Sequence, residues 1–247
     1  MSTTIVLIHG AWHGGWCWDR VRPLLEADGY RVLTPTLTGL GERAHLLSPD
    51  VGVHTHVDDI ITALRDAHAR ECVLVGHSYA GIVLNGVIDR LSRGAAPEVR
   101  LRQLIYLDAV MVGHGECWRD MQTPEQAAAR MGAVEIGAHG TAVIPVPLAQ
   151  DLGIASPADQ EWVASLLTPH PFRCYVDVLD APHAMNTELP RTYIDCTAPT
   201  LGSLELSKQR VREEGWRIVP LAAGHDCMVS AAPGTAAMLG CLARTSK

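Results

Sequence analysis

The sequence predicts an α/β protein: a mostly parallel sheet covered by helices on both faces and interrupted by one insertion. Three observations predict it. Short, continuous, β-branched runs recur at Ile5–Ile8, Arg31–Leu33, Cys72–Val75, Leu104–Leu107, Tyr193–Cys196 and Arg217–Leu221, as expected of strands buried on both faces. Stretches of helical spacing, Cys17–Ala27, Val57–Ala69 and Ala80–Leu91, separate the first four runs. The alternation then lapses between Leu107 and about Thr192. Pro124, Pro145, Pro147, Pro157, Pro169, Pro171, Pro182 and Pro190 fall there, more than half of the chain's 15 prolines.

The first strand, Ile5–Ile8, runs into His9-Gly10-Ala11-Trp12-His13-Gly14-Gly15-Trp16-Cys17-Trp18. A glycine-rich loop in this place brings backbone close to a ligand, and the Ala11 N–H is the candidate donor to an oxyanion. The second strand, Arg31–Leu33, is followed by Gly39-Leu40-Gly41-Glu42-Arg43-Ala44, which fits the dinucleotide fingerprint G-x-G-x-x-A. Pro49 and Gly52 prevent the helix that a pyrophosphate would need, so a loop is expected and nicotinamide chemistry is not. His54 and His56 with Asp58 and Asp59 read as a solvated helix start, the two aspartates complementing the dipole, and not as metal ligands.

The third strand and the turn after it carry the chemistry. Cys72-Val73-Leu74-Val75-Gly76-His77-Ser78-Tyr79-Ala80-Gly81 is a buried strand turning through a serine into a helix with Ile82, Val83, Val87, Ile88 and Leu91 at helical spacing. It resembles the nucleophile elbow of α/β-hydrolases, whose turn admits only small residues two before and two after the serine. Gly76 and Ala80 hold those places, with alanine where glycine is usual. Ser78 is the candidate nucleophile, and the Tyr79 N–H, at the positive end of the helix, is the second oxyanion donor.

The fourth strand, Leu104–Leu107, ends at Asp108. The run after it, residues 111–188, reads as an inserted cap over the carboxyl edge of the sheet, where open α/β sheets place their ligands; residues 1–110 and 189–247 then form the core. Helix-like patches at Thr123–Met131 and Asp159–Leu167 fall inside the cap. Trp118, Phe172, Tyr175 and Met228 are the candidates for an apolar pocket between cap and sheet.

A serine hydroxyl needs a base, most often histidine, and 12 histidines compete. His225 follows the last strand, Arg217–Leu221, in Ala222-Ala223-Gly224-His225-Asp226, the place where such folds keep their base. The base needs an anion to hold its tautomer. After the penultimate strand, where that acid usually stands, the chain has Thr197-Ala198-Pro199-Thr200. Asp108, ending the fourth strand, is the candidate in its stead, because some members of the α/β-hydrolases that the elbow resembles carry their acid after that earlier strand and still reach the histidine. An aspartate ending a buried strand would otherwise also be a costly unpaired charge. Glu205, in the loop after the penultimate strand, is the competing acid, and Asp195 sits within a strand and is expected to face away or to pair locally.

Composition excludes other classes. With 247 residues, 47% hydrophobic and 19% charged, the chain can build a sizeable core without metal or disulfides. The net charge of −7, from 27 acidic against 20 basic residues, leaves no basic excess for nucleic acid. Lys208 and Lys247 are the only lysines, which reads as codon bias. Seven cysteines, odd in number and widely spaced, fit reduced thiols in the cytoplasm. The start Met1-Ser2-Thr3-Thr4 has no signal-peptide character, and no run is long enough for a membrane span.

The run His9–Trp18, the elbow at Gly76-His77-Ser78 and the proline-rich insertion together closely resemble plant methylesterases of the salicylate-binding type, their hydroxynitrile lyase relatives and bacterial esterases of the same superfamily. The resemblance implies an α/β-hydrolase core, a small cap, no cofactor and small, often aromatic, ester substrates. The lyases carry threonine and lysine where this chain has Ala11 and Asp226, so cyanohydrin cleavage is not implied. The expected function is therefore a carboxylesterase-type serine hydrolase working through an acyl-enzyme, with Ser78, His225 and Asp108 as catalytic residues and Ala11 and Tyr79 as oxyanion donors. A catalytically altered relative, acting as a small-molecule binding protein or in lyase or cyclase chemistry, is the alternative that the missing usual acid keeps open. A homodimer is the assembly kept in view.

Overall fold

The computed structural model describes residues 3–184 and 188–244; residues 1–2, 185–187 and 245–247, parts of the expected core and cap spans, lie outside the described residues. Six parallel strands form the main sheet, in the order β2 (Arg31–Leu33), β1 (Thr4–Ile8), β3 (Glu71–His77), β4 (Arg100–Leu107), β8 (Arg191–Cys196) and β9 (Arg217–Leu221). Strand alternation divides the core in two. Val6, Ile8, Leu74 and Tyr106 face α2 (Val53–Asp66) and α3 (Ala80–Ser92) on one side. Ile5, Leu7, Val73 and Val75 face α1 (Arg22–Ala27) and α9 (Ala232–Arg244) on the other.

Between β4 and β8 lie α4 (Pro124–Gly132), α5 (Pro157–Ala164), α6 (Arg173–Val176) and a small antiparallel sheet of β5 (Glu135–Ile136), β6 (Ala142–Ile144) and β7 (His170–Pro171). Thr123 and Ser156 cap α4 and α5 through their side-chain oxygens, each followed by a proline that the first turn tolerates because its N–H has no partner there. Helices α7 (Glu205–Glu213) and α8 (Cys227–Ser230) complete the chain.

Several boundaries differ from expectation. The stretch Cys17–Ala27 is split into a 3₁₀ turn at Gly15–Trp18 and α1, because Pro23 lacks the N–H that a helix running through it would require. Helix α2 starts at Val53, four residues early, so His54 and His56 lie within it rather than ahead of it. Glu205 opens α7 instead of standing in a loop, and α9 carried no sequence expectation. Residues Gly41–Leu46 form a 3₁₀ turn, and no α-helix opens at the G-x-G.

Candidate active site

The turn from β3 into α3 is built by sterics. Ser78 has a φ of +55°, a left-handed conformation that a non-glycine residue holds only when its surroundings impose it. A Cβ on Gly76 would come 2.6 Å from the Leu84 Cδ1 and 2.8 Å from the Ala80 carbonyl oxygen, so glycine is required before the turn. Alanine is tolerated after it, since the close approach is to the Ala80 backbone and not to its side chain. The Ser78 N–H donates to the Leu107 carbonyl at 3.1 Å, and the Ser78 carbonyl accepts from Gly81 at 3.1 Å and Val110 at 2.9 Å. Those bonds fix the serine at the carboxyl edge of the sheet.

The His225 ring meets it there. Ser78 Oγ lies 3.0 Å from His225 Nε2, and His225 Nδ1 lies 2.7 Å from Asp108 Oδ2. All three side chains are buried. Asp108 also has a positive φ, +43°, at the end of β4. With the carboxylate ionised, Nδ1 carries the ring proton and Nε2 accepts from the hydroxyl. A serine so placed can be deprotonated as it attacks an electrophile, and the imidazolium that results faces an anion.

Asp108 remains an anion despite its burial. Desolvation pushes its pKa up, but the hydrogen bond and charge of His225 and the charge of Lys208 outweigh it and hold the carboxyl below its usual value. Lys208, read from sequence as codon bias, is the correction here. From α7 its buried Nζ lies 2.9 Å from Asp108 Oδ1 and 2.6 Å from Asp195 Oδ1, and donates to the Cys196 carbonyl at 3.3 Å. The Cys196 N–H donates to Asp108 Oδ1 at 3.3 Å. Asp195 therefore pairs locally, as expected. Lys208→Met, which strands Asp195 and removes one of the three partners of the Asp108 carboxylate, is expected to cost about 3 kcal/mol in denaturant unfolding; a loss under about 1 kcal/mol would mean the amine is dispensable to the fold.

Glu205 is elsewhere: it is exposed and pairs with Arg212 at 3.0 Å on the surface of α7. The two expected oxyanion donors flank the serine. Tyr79 is the N-cap of α3, and a Cβ on Gly10, next to Ala11, would stand 2.9 Å from the Ser78 Cβ. Among the described residues neither the Ala11 nor the Tyr79 amide donates a hydrogen bond.

Four other buried histidines have partners of their own, and one of them, His77, packs against the His225 ring at 4.5 Å between centroids. Burial, helped by the charge of His225, lowers His77 to about 3; its Nε2 donates to the His225 carbonyl at 3.0 Å and steadies that loop. Burial also lowers His9 to about 3 and His56 to about 4. His13 is different. Burial pulls it down, but Asp226, 2.9 Å from its Nε2, outweighs that and raises it above the ordinary value. Asp226 is thus spent on a second buried His–Asp pair, which sequence reasoning missed because the partners are 213 residues apart.

The expected solvated start of α2 needs correcting as well. His56 is buried, with Nδ1 2.9 Å from the Tyr79 hydroxyl and Nε2 2.9 Å from the Thr38 carbonyl, and Asp59 holds Thr38 and Arg43. Both ring nitrogens of His56 are engaged, so the His54–Asp59 run does not assemble as a ligand set. His77, His225 and Asp226 do bring ligand atoms within 4.8 Å of one another, yet both His225 nitrogens already face Ser78 and Asp108.

A cavity of about 170 Å³ opens onto Ser78 and His225, walled by Trp12, Val110, Leu201 and Leu204 and by Trp118, Arg130, Pro147, Asp151 and Leu152 from the segment between β4 and β8. Of the four expected pocket residues, Trp118 lines it. Tyr175 stands behind, its ring 5.6 Å from Trp118 and its hydroxyl donating to Gln122 at 2.5 Å, and Phe172 packs on Tyr175. Met228 is fully buried in the core on the α1 and α9 side and does not line the cavity. Two larger clefts, beside Leu91 and along α2, contain none of Ser78, His225 and Asp108.

Residues 5–237 match the model of the alpha/beta hydrolase family. Among proteins of known name, the chain is 35% identical over 233 residues to the carbendazim hydrolyzing esterase of Nocardioides sp. (strain SG-4G), covering 91% of this chain and 93% of that one. It is 37% identical over 87 residues to methylesterase 2 of Arabidopsis thaliana, 34% of this chain and 33% of the relative. Among solved structures it is similar to an extracellular alpha/beta-hydrolase from a Paenibacillus species described as sharing structural and functional homology with tobacco salicylic acid binding protein 2. That match has a TM-score of 0.82 at 21% identity and covers 99% of this chain and 98% of the other.

Proposed function

The chain belongs to the alpha/beta hydrolase family, and from that premise we propose that it is a serine carboxylesterase acting on small esters with an apolar or aromatic body. The single observation that carries this reading is the unbroken contact from Ser78 Oγ to His225 Nε2, 3.0 Å, and from His225 Nδ1 to Asp108, 2.7 Å. Ser78 attacks the ester carbonyl while His225 takes its proton. The Ala11 and Tyr79 amides hold the oxyanion, each such donor being worth about 2.7–4 kcal/mol in comparable hydrolases. The tetrahedral intermediate collapses as His225 returns the proton to the leaving alcohol. Water, activated by the same imidazole, then releases the acid and restores Ser78.

Residues 111–188 are proposed to act as the cap, since Trp118, Arg130, Pro147, Asp151 and Leu152 from that span close the cavity over Ser78. The cavity of about 170 Å³ is small beside drug-sized sites of roughly 300–1,000 Å³, and its walls are mainly apolar and aromatic, which favours compact esters. Relatives named as esterases support the ester-cleaving part of the reading. All seven cysteines are free and six are buried, in keeping with a reducing, cytoplasmic setting. No helix among the described residues is long and apolar enough to cross a membrane.

A fluorophosphonate probe tests the reading directly, because it captures only an activated hydroxyl. The expected result is a single adduct on the peptide containing Ser78, abolished in Ser78→Ala and at least about 100-fold slower in His225→Ala. An unlabelled protein, or labelling that survives Ser78→Ala, refutes it.

A further inference from the structure

Arg130, in the last turn of α4, stands on the wall of the Ser78 cavity and also on that of a wider groove outside it, so its guanidinium lies where the two meet. Three aromatic rings surround it: its Cζ is 4.7 Å from the Trp118 centroid and 5.5 Å from those of Trp12 and Tyr175. Burial lowers its pKa from the ordinary arginine value. Other partly buried arginines hold carboxylates, Arg43 on Asp59 and Arg210 on Glu116. Arg130 has no ion pair and no side-chain hydrogen bond among the described residues.

Ring faces offset part of a cation's desolvation, but they accept none of its five N–H donors. The guanidinium's donors thus stay available to a ligand at the cavity wall, and such a fork matches a carboxylate bidentately. Asp151 lines the same cavity, exposed and unpaired with Arg130, and an anion approaching the guanidinium would pass it. Charge complementarity nonetheless selects an anion, because the cation in the cage has no counter-charge.

We propose that Arg130 recognises a carboxylate carried on the same molecule as the scissile ester, so that the preferred substrates are monoesters of short dicarboxylic or aromatic diacids. The inference rests on the Ser78 esterase reading. The apolar body lies along Trp12 and Trp118 while the carboxylate meets the guanidinium, which leaves the ester carbonyl at Ser78.

The test compares monomethyl with dimethyl esters of glutarate, adipate and phthalate, pairs that differ in charge but hardly in shape. Wild type should favour the monoester by about 10- to 100-fold in kcat/KM, the scale of a hydrogen bond to a charged group. Arg130→Gln should bring that ratio near unity, Arg130→Lys should keep part of it, and Asp151→Asn should raise it. Calorimetric binding of monomethyl and of dimethyl phthalate to Ser78→Ala protein, with and without Arg130→Gln, reads the same ratio without turnover. A flat ratio in wild type, or one that Arg130→Gln leaves unmoved in both assays, overturns the proposal. Phenyl acetate separates the two readings. If Ser78→Ala abolishes its hydrolysis while the mono/di ratio is flat, only the Arg130 assignment fails; if its hydrolysis survives Ser78→Ala while calorimetry keeps the Arg130 preference, only the esterase reading fails.

Discussion

Ser78→Ala is expected to lower kcat on any ester that the protein turns over by about 10⁶-fold, the loss seen when a serine hydrolase loses its nucleophile. The residue cannot be bypassed here. Ser78 is the hydroxyl that His225 Nε2 faces, and no other serine or threonine hydrogen-bonds to that nitrogen among the described residues. Fold damage is not a rival explanation, because the turn is held by the Ser78 backbone, whose N–H and carbonyl bond to Leu107, Gly81 and Val110 whatever the side chain. Circular dichroism and thermal unfolding should therefore be close to wild type, with a modest penalty from alanine at a φ of +55°. Activity retained within about tenfold of wild type would remove Ser78 from the reaction altogether, since even one lost oxyanion donor costs about 10²-fold or more.

Which features are legible in the sequence depends on where the controlling physics lies. The elbow is legible because its constraint is local: Gly76, Ser78 and Ala80 sit within one turn, and the collision that a Cβ at Gly76 would suffer involves neighbours only a few residues away. His225 is legible because the elbow resembles α/β-hydrolases, which keep their base after the last strand, and Asp108 because some of them carry the acid after the earlier strand that it ends, where an unpaired charge would also be costly. Lys208 is not. On a nine-residue helix with four other charged side chains a lysine reads as solvated, and only the packing of α7 under β8 turns it inward to Asp108, 100 positions away in sequence. His13 with Asp226, and Arg130 in its aromatic cage, are hidden for the same reason: each partnership is long-range and leaves no periodic trace. The small sheet between β4 and β8 escapes because strands of two or three residues are too short to show alternation.

Asp108→Asn is the second large effect, expected at about 10⁴-fold in kcat by analogy with loss of the triad aspartate in other serine hydrolases. The surroundings of Asp108 dictate which way the new amide must lie. Oδ1 faces two donors, the Lys208 ammonium at 2.9 Å and the Cys196 N–H at 3.3 Å, so the amide oxygen must take that side. The NH₂ is then turned toward His225 Nδ1, where a donor stands in place of the acceptor at 2.7 Å. Nδ1 is forced to accept, the ring proton moves to Nε2, and the nitrogen facing Ser78 can no longer take a proton. The variant should still fold, because Lys208 keeps Asp195 at 2.6 Å and the Cys196 carbonyl. Glu205→Gln is the matched control: with its carboxylate exposed and paired to Arg212, it should stay within about threefold of wild type. Measured side by side, a crippled Glu205→Gln enzyme beside a nearly unaffected Asp108→Asn enzyme would show that the 2.7 Å contact to Asp108 does not orient the base during turnover.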